Sequence, residues 1–183
     1  MTIGKASGTA QVGDTITISV QSSGGTGVVK YHFLVKKSSS AVIGGESVSS
    51  SAKWKPKKAG KYSITVYAKD DGGNVAEKTI TKYTVNKKLK VRSFKASPSS
   101  KKARAGRKVK LMMKASGGTK KYLYKFRYKR SGTKKIKRIS AYSSKKIVSW
   151  RPKKSGKYTL YVYVRDKKTK RIAKKIVRNY IVS

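Results

Sequence analysis

Cysteine is absent from this 183-residue chain, and acidic residues are scarce. Without cysteine there can be no disulfide framework, no thiolate metal site and no thiol nucleophile. One histidine, His32, and six Asp and Glu residues leave few groups for acid–base chemistry. No apolar run approaches the roughly 18–20 residues that cross a membrane, and residues 1–5 precede no apolar stretch of the signal-peptide type. We therefore expect neither an enzyme nor a transmembrane segment.

Positive charge is abundant and unevenly distributed. Forty-eight Lys and Arg residues give the chain a net charge of +42. Residues 1–88 carry +9, whereas residues 89–183 carry +33, with all ten arginines and one acid, Asp166. Like charges at this density oppose folding, and a net charge of about 2–8 already keeps a small domain soluble. The excess predicts a polyanionic partner: nucleic acid, an acidic polysaccharide, a phosphate-rich wall polymer or an anionic membrane surface.

The chain contains two copies of one unit of about ninety residues. Residues 54–70 align with residues 150–166 at an offset of 96, and ten of the seventeen positions are identical. The sequence Ser-Gly-Gly-Thr at 23–26 recurs at 116–119, at an offset of 93. The second copy therefore carries a three-residue insertion between these two motifs. Such an internal repeat indicates that both copies share one fold.

Apolar residues alternate with polar and charged ones along several segments of both copies. This period of two is typical of half-buried antiparallel strands. One such set, in the second copy, is Tyr158, Leu160, Val162 and Val164. About seven strands in ninety residues predict an immunoglobulin- or fibronectin-type β-sandwich. We predict an all-β chain with two tandem sandwiches, over residues 1–88 and 89–183.

Several motifs follow one another in the same order in the chain. They are Ser-Gly-Gly-Thr, then Tyr-x-Tyr-x-Phe at residues 122–126, then Trp-x-Pro-x-x-x-Gly-x-Tyr-x-x-x-Val-x-x-x-Asp in both copies. Together they resemble bacterial immunoglobulin-like repeats of the "three-tyrosine" type. The resemblance implies an extracellular or wall-associated place within a larger multidomain protein. The second copy departs from that family in its extreme basicity, so the resemblance does not name its partner.

The tryptophan motif has a functional and a structural interpretation. A tryptophan could form a carbohydrate-binding platform. We expect instead that each Trp packs on the core at a strand end and that the Pro ends that strand. The Gly then supplies a turn, and the Tyr resembles a tyrosine corner, whose hydroxyl bonds the nearby backbone. The residues are Trp54, Pro56, Gly60 and Tyr62 in the first copy, and Trp150, Pro152, Gly156 and Tyr158 in the second.

Candidates for metal or acid–base chemistry are weak. His32 is expected to point outward, and Lys125 takes its place in the second copy. The acidic turn at residues 70–74 could bind calcium through oxygen ligands, but its counterpart in the second copy keeps only Asp166. We therefore expect a hairpin turn in which Asp70 and Asp166 accept hydrogen bonds, and we predict no metal and no cofactor.

The basic strand faces of the second copy are the predicted binding surface. If strands C and F are neighbours, as in immunoglobulin sandwiches, six residues share one face: Lys125, Arg127, Lys129, Tyr161, Tyr163 and Arg165. The opposite sheet would present Lys108, Lys110 and Lys114. Tyrosine among Lys and Arg can stack on bases or sugar rings. No sequence-reading nucleic-acid motif is present, so the expected binding is electrostatic and non-specific.

These observations predict a non-catalytic surface or secreted module whose second domain attaches to an anionic polymer. Wall teichoic acid, a glycosaminoglycan and extracellular DNA are the candidates, and no small-molecule substrate is expected. Two alternatives stay open. One is an intracellular nucleic-acid-binding protein, and the other is a structural spacer within a larger surface protein.

Overall fold

The structure is a computed structural model that describes residues 2–3, 10–37, 40–42 and 46–183; Met1 and residues 4–5, considered above for a signal peptide, lie outside them. The chain divides into two compact units, Met1–Lys87 (unit 1) and Lys88–Ser183 (unit 2). Every regular element in the described ranges is a β-strand, which confirms the predicted all-β class. None of these residues forms a helix with the length and apolarity needed to cross a membrane.

Unit 1 contains two sheets. Its described strands are β1 (Thr2–Ile3), β2 (Ala10–Gln11), β3 (Ile16–Gln21), β4 (Lys30–Lys36), β5 (Ser40–Val42), β6 (Ser51–Trp54), β7 (Gly60–Lys69) and β8 (Val75–Asn86). One sheet has the order β1-β3-β6, and the other has the order β2-β8-β7-β4-β5. All pairs are antiparallel except β2 with β8.

Unit 2 is a seven-stranded sandwich. Its strands are β9 (Lys90–Ser97), β10 (Val109–Ser116), β11 (Tyr122–Arg130), β12 (Lys137–Ser143), β13 (Ile147–Trp150), β14 (Gly156–Asp166) and β15 (Ile172–Val182). The three-stranded sheet has the order β13-β10-β9, and the four-stranded sheet has the order β12-β11-β14-β15. Side chains of both sheets, such as Leu111 and Phe126, meet in one buried cluster. The predicted β-sandwich is therefore confirmed.

The predicted alternation describes the inner faces of the strands well. In β14, Tyr158, Leu160, Val162 and Val164 are all buried, and the residues between them are half-buried. Each fully buried aliphatic side chain contributes about 1.5–3 kcal/mol through the hydrophobic effect. This apolar interior must hold the unit together against the repulsion of its surface charges.

The tryptophan motif is structural in both units, as predicted. β6 ends at Trp54 and β13 ends at Trp150, and each indole ring packs edge-on against the Tyr of its own motif. The Tyr62 hydroxyl donates to the Lys58 carbonyl, and the Tyr158 hydroxyl donates to the carbonyl four residues before it, both at 2.6 Å. Both tyrosines therefore anchor the turn that precedes their strand.

A buried carboxylate closes one end of each unit. Asp166 is fully buried. It accepts hydrogen bonds from the Thr119 backbone N–H at 2.6 Å, the Thr119 hydroxyl at 2.8 Å, and the backbone N–H groups of Lys168 and Thr169 at 3.0 and 2.9 Å. The prediction that this residue accepts hydrogen bonds in its turn is confirmed. The bond to Thr119 adds a second function, because it ties together two loops 47 residues apart in sequence.

Unit 1 repeats this arrangement around Asp70. Its carboxylate accepts from the Thr26 N–H at 2.9 Å and from the Asn74 N–H and side-chain amide at 2.8 and 3.0 Å. The Ser-Gly-Gly-Thr motif serves this contact. Gly25 and Gly118 have φ of +102° and +57°, and a Cβ atom on either would collide with the aspartate oxygen. Glycine is therefore required at both positions for backbone conformation and for space.

The hydrogen bonds set the protonation of these carboxyl groups. Burial alone raises the pKa of Asp166, but the bonds from Thr169 and Thr119 outweigh it and hold that pKa below its ordinary value of 3.8. The Asn74 amide, followed by the Thr26 N–H, lowers the pKa of Asp70 in the same direction. Each carboxylate therefore stabilises its unit above about pH 4.

We expect residues 1–88 and 89–183 to fold separately as all-β domains, because each holds a complete set of strands around its own core. Circular dichroism of the two fragments checks this expectation. Both should give β spectra with negligible helix. A random-coil spectrum for residues 89–183 in moderate salt would contradict the assignment.

Asp166 is the only acidic side chain in residues 89–183, which also lack histidine, so this residue and the terminal carboxyl of the fragment are the groups that titrate on acid unfolding. The stability that Asp166 provides is complete above its ordinary pKa of 3.8 and disappears as the pH falls through the lowered folded-state pKa. We expect Asp166→Asn to cost about 2 kcal/mol at pH 7 and to flatten the dependence of Tm on pH between pH 2 and 5.

Thr119→Val is the matched control for this experiment. It removes a hydroxyl partner of the carboxylate but retains the carboxylate itself and the net charge. Tm should fall while the acid dependence persists. If Asp166→Asn keeps the full acid dependence, another group controls acid unfolding and the account of this loop is wrong.

Candidate functional site

The structure brings the six predicted residues of strands β11 and β14 onto one outer sheet face, here called the basic face: Lys125, Arg127, Lys129, Tyr161, Tyr163 and Arg165. The two strands are antiparallel neighbours, as expected, with Lys125 opposite Tyr163 and Arg127 opposite Tyr161. All six side chains are half-buried. They therefore pack on one another more than isolated surface lysines do.

Tyr142 in the edge strand β12 contacts two cations of this face and was not predicted. The Lys125 ammonium nitrogen lies 5.1 Å from the centroid of the Tyr142 ring and 5.7 Å from that of Tyr163. The Arg165 guanidinium carbon lies 4.3 Å from the Tyr142 centroid. Two cations thus share one aromatic ring. Such contacts contribute about 0.5–1 kcal/mol each at exposed sites, which helps to hold two like charges together.

Tyr142 stays neutral in this environment. Burial raises the pKa of its phenol, and the smaller effect of Arg165 opposes that shift. The ring therefore offers a neutral aromatic face to its two cations throughout the physiological pH range. The one acid of the unit, Asp166, is enclosed by its loop, so it does not lie on this face to neutralise the cluster.

The Arg127 side chain lies on the basic face and also forms a hydrogen bond within unit 2. Its guanidinium donates to the Ile136 carbonyl at 3.1 Å, which fixes the turn between β11 and β12. Arg138 lies directly opposite Arg127 on β12. Like charges opposite one another destabilise a strand pair. Arg138 also adds a further cation at the edge of the basic face, and this cation was not predicted from the sequence.

The other predicted cations lie on the opposite sheet. Lys110 and Lys114 are exposed on β10, and Lys108 directly precedes that strand. The residues between them, including Leu111 and Met113, are buried in the core. The predicted set therefore divides into two groups on opposite sheets, and only the basic face combines cations with aromatic rings.

Unit 1 has different chemistry at the positions equivalent to the basic face. His32, Leu34 and Thr65 stand where unit 2 has Lys125, Arg127 and Tyr161. His32 faces outward, as predicted, with its ring centroid 6.1 Å from that of Tyr67. Thr65 shares a 2.8 Å hydrogen bond with another threonine. Lys36 and Lys69 keep a cation at the positions of Lys129 and Arg165, so these six positions hold two cations in unit 1 and four in unit 2.

The counterpart of Tyr142 in unit 1 is Glu46. The next residue in each unit, Ser47 or Ser143, pairs with the equivalent tyrosine of the neighbouring strand. Glu46 is exposed. Where unit 2 has a ring that binds two cations, unit 1 therefore has a negative charge.

The acidic turn of unit 1 is joined to the loop before β4 by hydrogen bonds. Asp71 accepts a 2.8 Å hydrogen bond from the Val28 N–H, and Asp70 accepts the bonds described above. Among the described residues there is no group of three His, Cys, Asp or Glu side chains placed to hold a metal ion. The two aspartates of this turn accept hydrogen bonds from backbone N–H groups and from the Asn74 amide.

Solved structures similar to this chain include the fibronectin(III)-like modules of Clostridium thermocellum CbhA, with 20% identity over 99% of this chain and 93% of that one, at a TM-score of 0.41. The FN1–FN3 domains of chicken CNTN1 match with 11% identity over 97% and 66%, at 0.41. A Ca²⁺-stabilised, ice-binding adhesin of an Antarctic bacterium matches with 12% identity over 93% and 44%, at 0.44. Among curated proteins, none matches the chain.

A family model, the Y_Y_Y domain, matches the chain twice. The matched residues are 22–88 and 115–182, one stretch in each unit and well over half of the chain together. Both stretches include the carboxylate loop, the tryptophan motif and the tyrosine corner. The protein therefore belongs to the Y_Y_Y domain family and carries two copies of that domain.

Proposed function

We propose that this protein is a non-catalytic module of a surface or secreted protein, and that unit 2 attaches it to an anionic polymer. Wall teichoic acid, a glycosaminoglycan and extracellular DNA are the candidate polymers. The observation that carries the proposal is the pair Lys125 and Arg165, stacked on the single ring of Tyr142 with no carboxylate on the same face. A polyanion would supply the missing negative charge.

Electrostatics supports a polymer rather than a single small anion. The second half carries thirty-four cations and one acid, so internal ion pairs cannot balance the charge. Repulsion between exposed charges extends about 8–10 Å at physiological ionic strength, which is several side chains across. A chain of phosphates, sulfates or carboxylates can neutralise many of these cations at once and release its own counterions.

The basic face suits attachment better than the lysines of β10. Its cations are half-buried, and Lys125 and Arg165 are held against aromatic rings, so they lose less freedom on binding than fully exposed lysines do. Tyr161 and Tyr163 place further rings beside the cations. Rings of this kind stack on bases or sugars without reading sequence.

Two other functions make different predictions. An intracellular nucleic-acid-binding protein would have no signal peptide in its native upstream sequence, whereas a secreted module would have one. A structural spacer, whose charge merely matches an anionic wall, would show no saturable binding to any isolated polymer. The family alone does not choose between these functions.

The affinity of residues 89–183 for duplex DNA or heparin should fall steeply with salt. A face that makes about 6–10 phosphate contacts loses roughly 10³–10⁵ in affinity between 50 and 200 mM salt. Replacing Lys125, Arg127, Lys129 and Arg165 together by Gln should reduce the slope of log K against log salt for DNA by about 3–4. Fluorescence anisotropy at several salt concentrations measures this slope.

A control with the same change of charge comes from the opposite sheet, with Lys95, Lys108, Lys110 and Lys114 replaced by Gln. It should keep most of the slope, because these lysines lie outside the basic face. If the control loses the slope and the first variant keeps it, the face is wrongly assigned. If neither half of the chain binds any polyanion at 50 mM salt, the attachment function is wrong.

We expect the ring of Tyr142 to contribute to polyanion binding by holding Lys125 and Arg165 in position. Tyr142→Glu copies Glu46 of unit 1 and places a carboxylate beside Lys125 and Arg165, so affinity should fall by about tenfold or more. Tyr142→Phe retains the aromatic face and should bind within about twofold of the parent. Equal affinity of both variants in the same anisotropy assay would show that Tyr142 has no part in binding.

A further inference from the structure

A cavity of about 460 Å³ opens at one end of the basic face, beside the turn between β11 and β12. Six of the residues that line it carry the argument: Lys129, Lys134, Lys157, Thr159, Tyr161 and Asn179. Lys129 and Tyr161 belong to the basic face as well. A polymer lying along that face would therefore meet the cavity at its end.

The cavity is positively charged. Lys129, Lys134 and Lys157 contribute three ammonium groups, and no residue that lines it is acidic. Arg130 also lines it and adds a fourth cation, although its Nε donates to the Ser155 carbonyl at 3.0 Å. The remaining donors of this guanidinium and the three ammonium groups are thus the cationic donors available to a bound anionic group.

Neutral polar groups line the same space. Among the described residues, neither the Thr159 nor the Tyr161 hydroxyl has a hydrogen-bond partner. A hydroxyl both donates and accepts hydrogen bonds, and a carboxamide does the same through its two ends. A ligand that only accepts, such as a phosphodiester, would leave the accepting capacity of these groups unused.

A β-bulge in β15 positions the side-chain carboxamide of Asn179 at the cavity. Tyr158 pairs with Tyr180 and Leu160 with Val177, so β15 has one extra residue between these pairs. Asn179 lies in that bulge with φ of +57°, a conformation that asparagine tolerates better than most residues. Bulges often redirect a side chain at a functional site.

From the charge and the hydrogen-bonding groups that line this cavity, we infer that it binds one anionic sugar residue. An acidic polysaccharide is therefore the preferred polymer. The lysines would bind its sulfate, phosphate or carboxylate group. The Thr159, Tyr161 and Asn179 side chains would exchange hydrogen bonds with its ring hydroxyls. This inference rests on the proposed attachment function. It narrows the proposed partner of unit 2 from any polyanion to a polyanion that carries hydroxyl groups.

Calorimetric titration of the full chain at 150 mM salt tests the inference with two probes, a sulfated heparin hexasaccharide and a thymidine oligonucleotide. Thr159→Val with Tyr161→Phe removes two cavity hydroxyls and leaves the charge and the aromatic ring unchanged. Hexasaccharide affinity should fall by about tenfold, and oligonucleotide affinity should stay within about twofold. An unchanged Tm would confirm that the variant is folded.

The matched control removes two hydroxyls outside the cavity and outside the basic face, through Ser149→Ala with Tyr67→Phe. It should leave both affinities within about twofold. An equal loss for both probes in the cavity variant, or no loss at all, overturns the sugar site while the attachment function survives. If neither probe binds even at 50 mM salt, the attachment function fails together with the sugar site.

Discussion

Repulsion between like charges is the constraint on which the rest of unit 2 depends. Residues 89–183 carry thirty-four positive charges and one negative charge, and repulsion of this kind opposes the compact state. The sandwich keeps every Lys and Arg of unit 2 out of its core, because its buried residues are hydrophobic apart from one aspartate. The single carboxylate, Asp166, joins two loops through hydrogen bonds. Charge neutralisation is therefore left to something outside the domain.

The two units show which features belong to the fold and which to the surface. The carboxylate loop and the tyrosine corner occur in both. So does a cation where β4 or β11 ends: Lys37 donates to the Ala59 carbonyl in unit 1, as Arg130 donates to the Ser155 carbonyl in unit 2. The outer sheet face, by contrast, differs between the units, because the six positions of the basic face hold four cations in unit 2 and two in unit 1. A shared scaffold with one altered face is the pattern expected when function resides in a site carried by a common fold.

Much of this architecture could be predicted from the sequence, because a period of two fixes which side chains point inward. The neighbouring positions of β11 and β14 followed from the sandwich topology, and so did the row that joins Lys125 to Tyr163. Tyr142 could not be placed in this way. The pairing of β11 with β12 shifts register twice, so counting along the strand does not locate its side chain. The cavity depends on a turn and a bulge at Asn179, whose conformations no simple periodicity specifies. The requirement for glycine at position 118 could not be predicted either, because Asp166, with which a Cβ atom there would collide, lies far along the chain.

Thermal unfolding of residues 1–88 and 89–183 in increasing chloride, and then in sulfate at matched ionic strength, tests the central claim most directly. If uncompensated charge dominates unit 2, screening should raise the Tm of residues 89–183, and sulfate should raise it further by binding the folded state. Residues 1–88, with a net charge of +9, should respond much less. Equal shifts for the two fragments would contradict the account, because the charge of unit 2 would then not be the strain that an anionic polymer relieves.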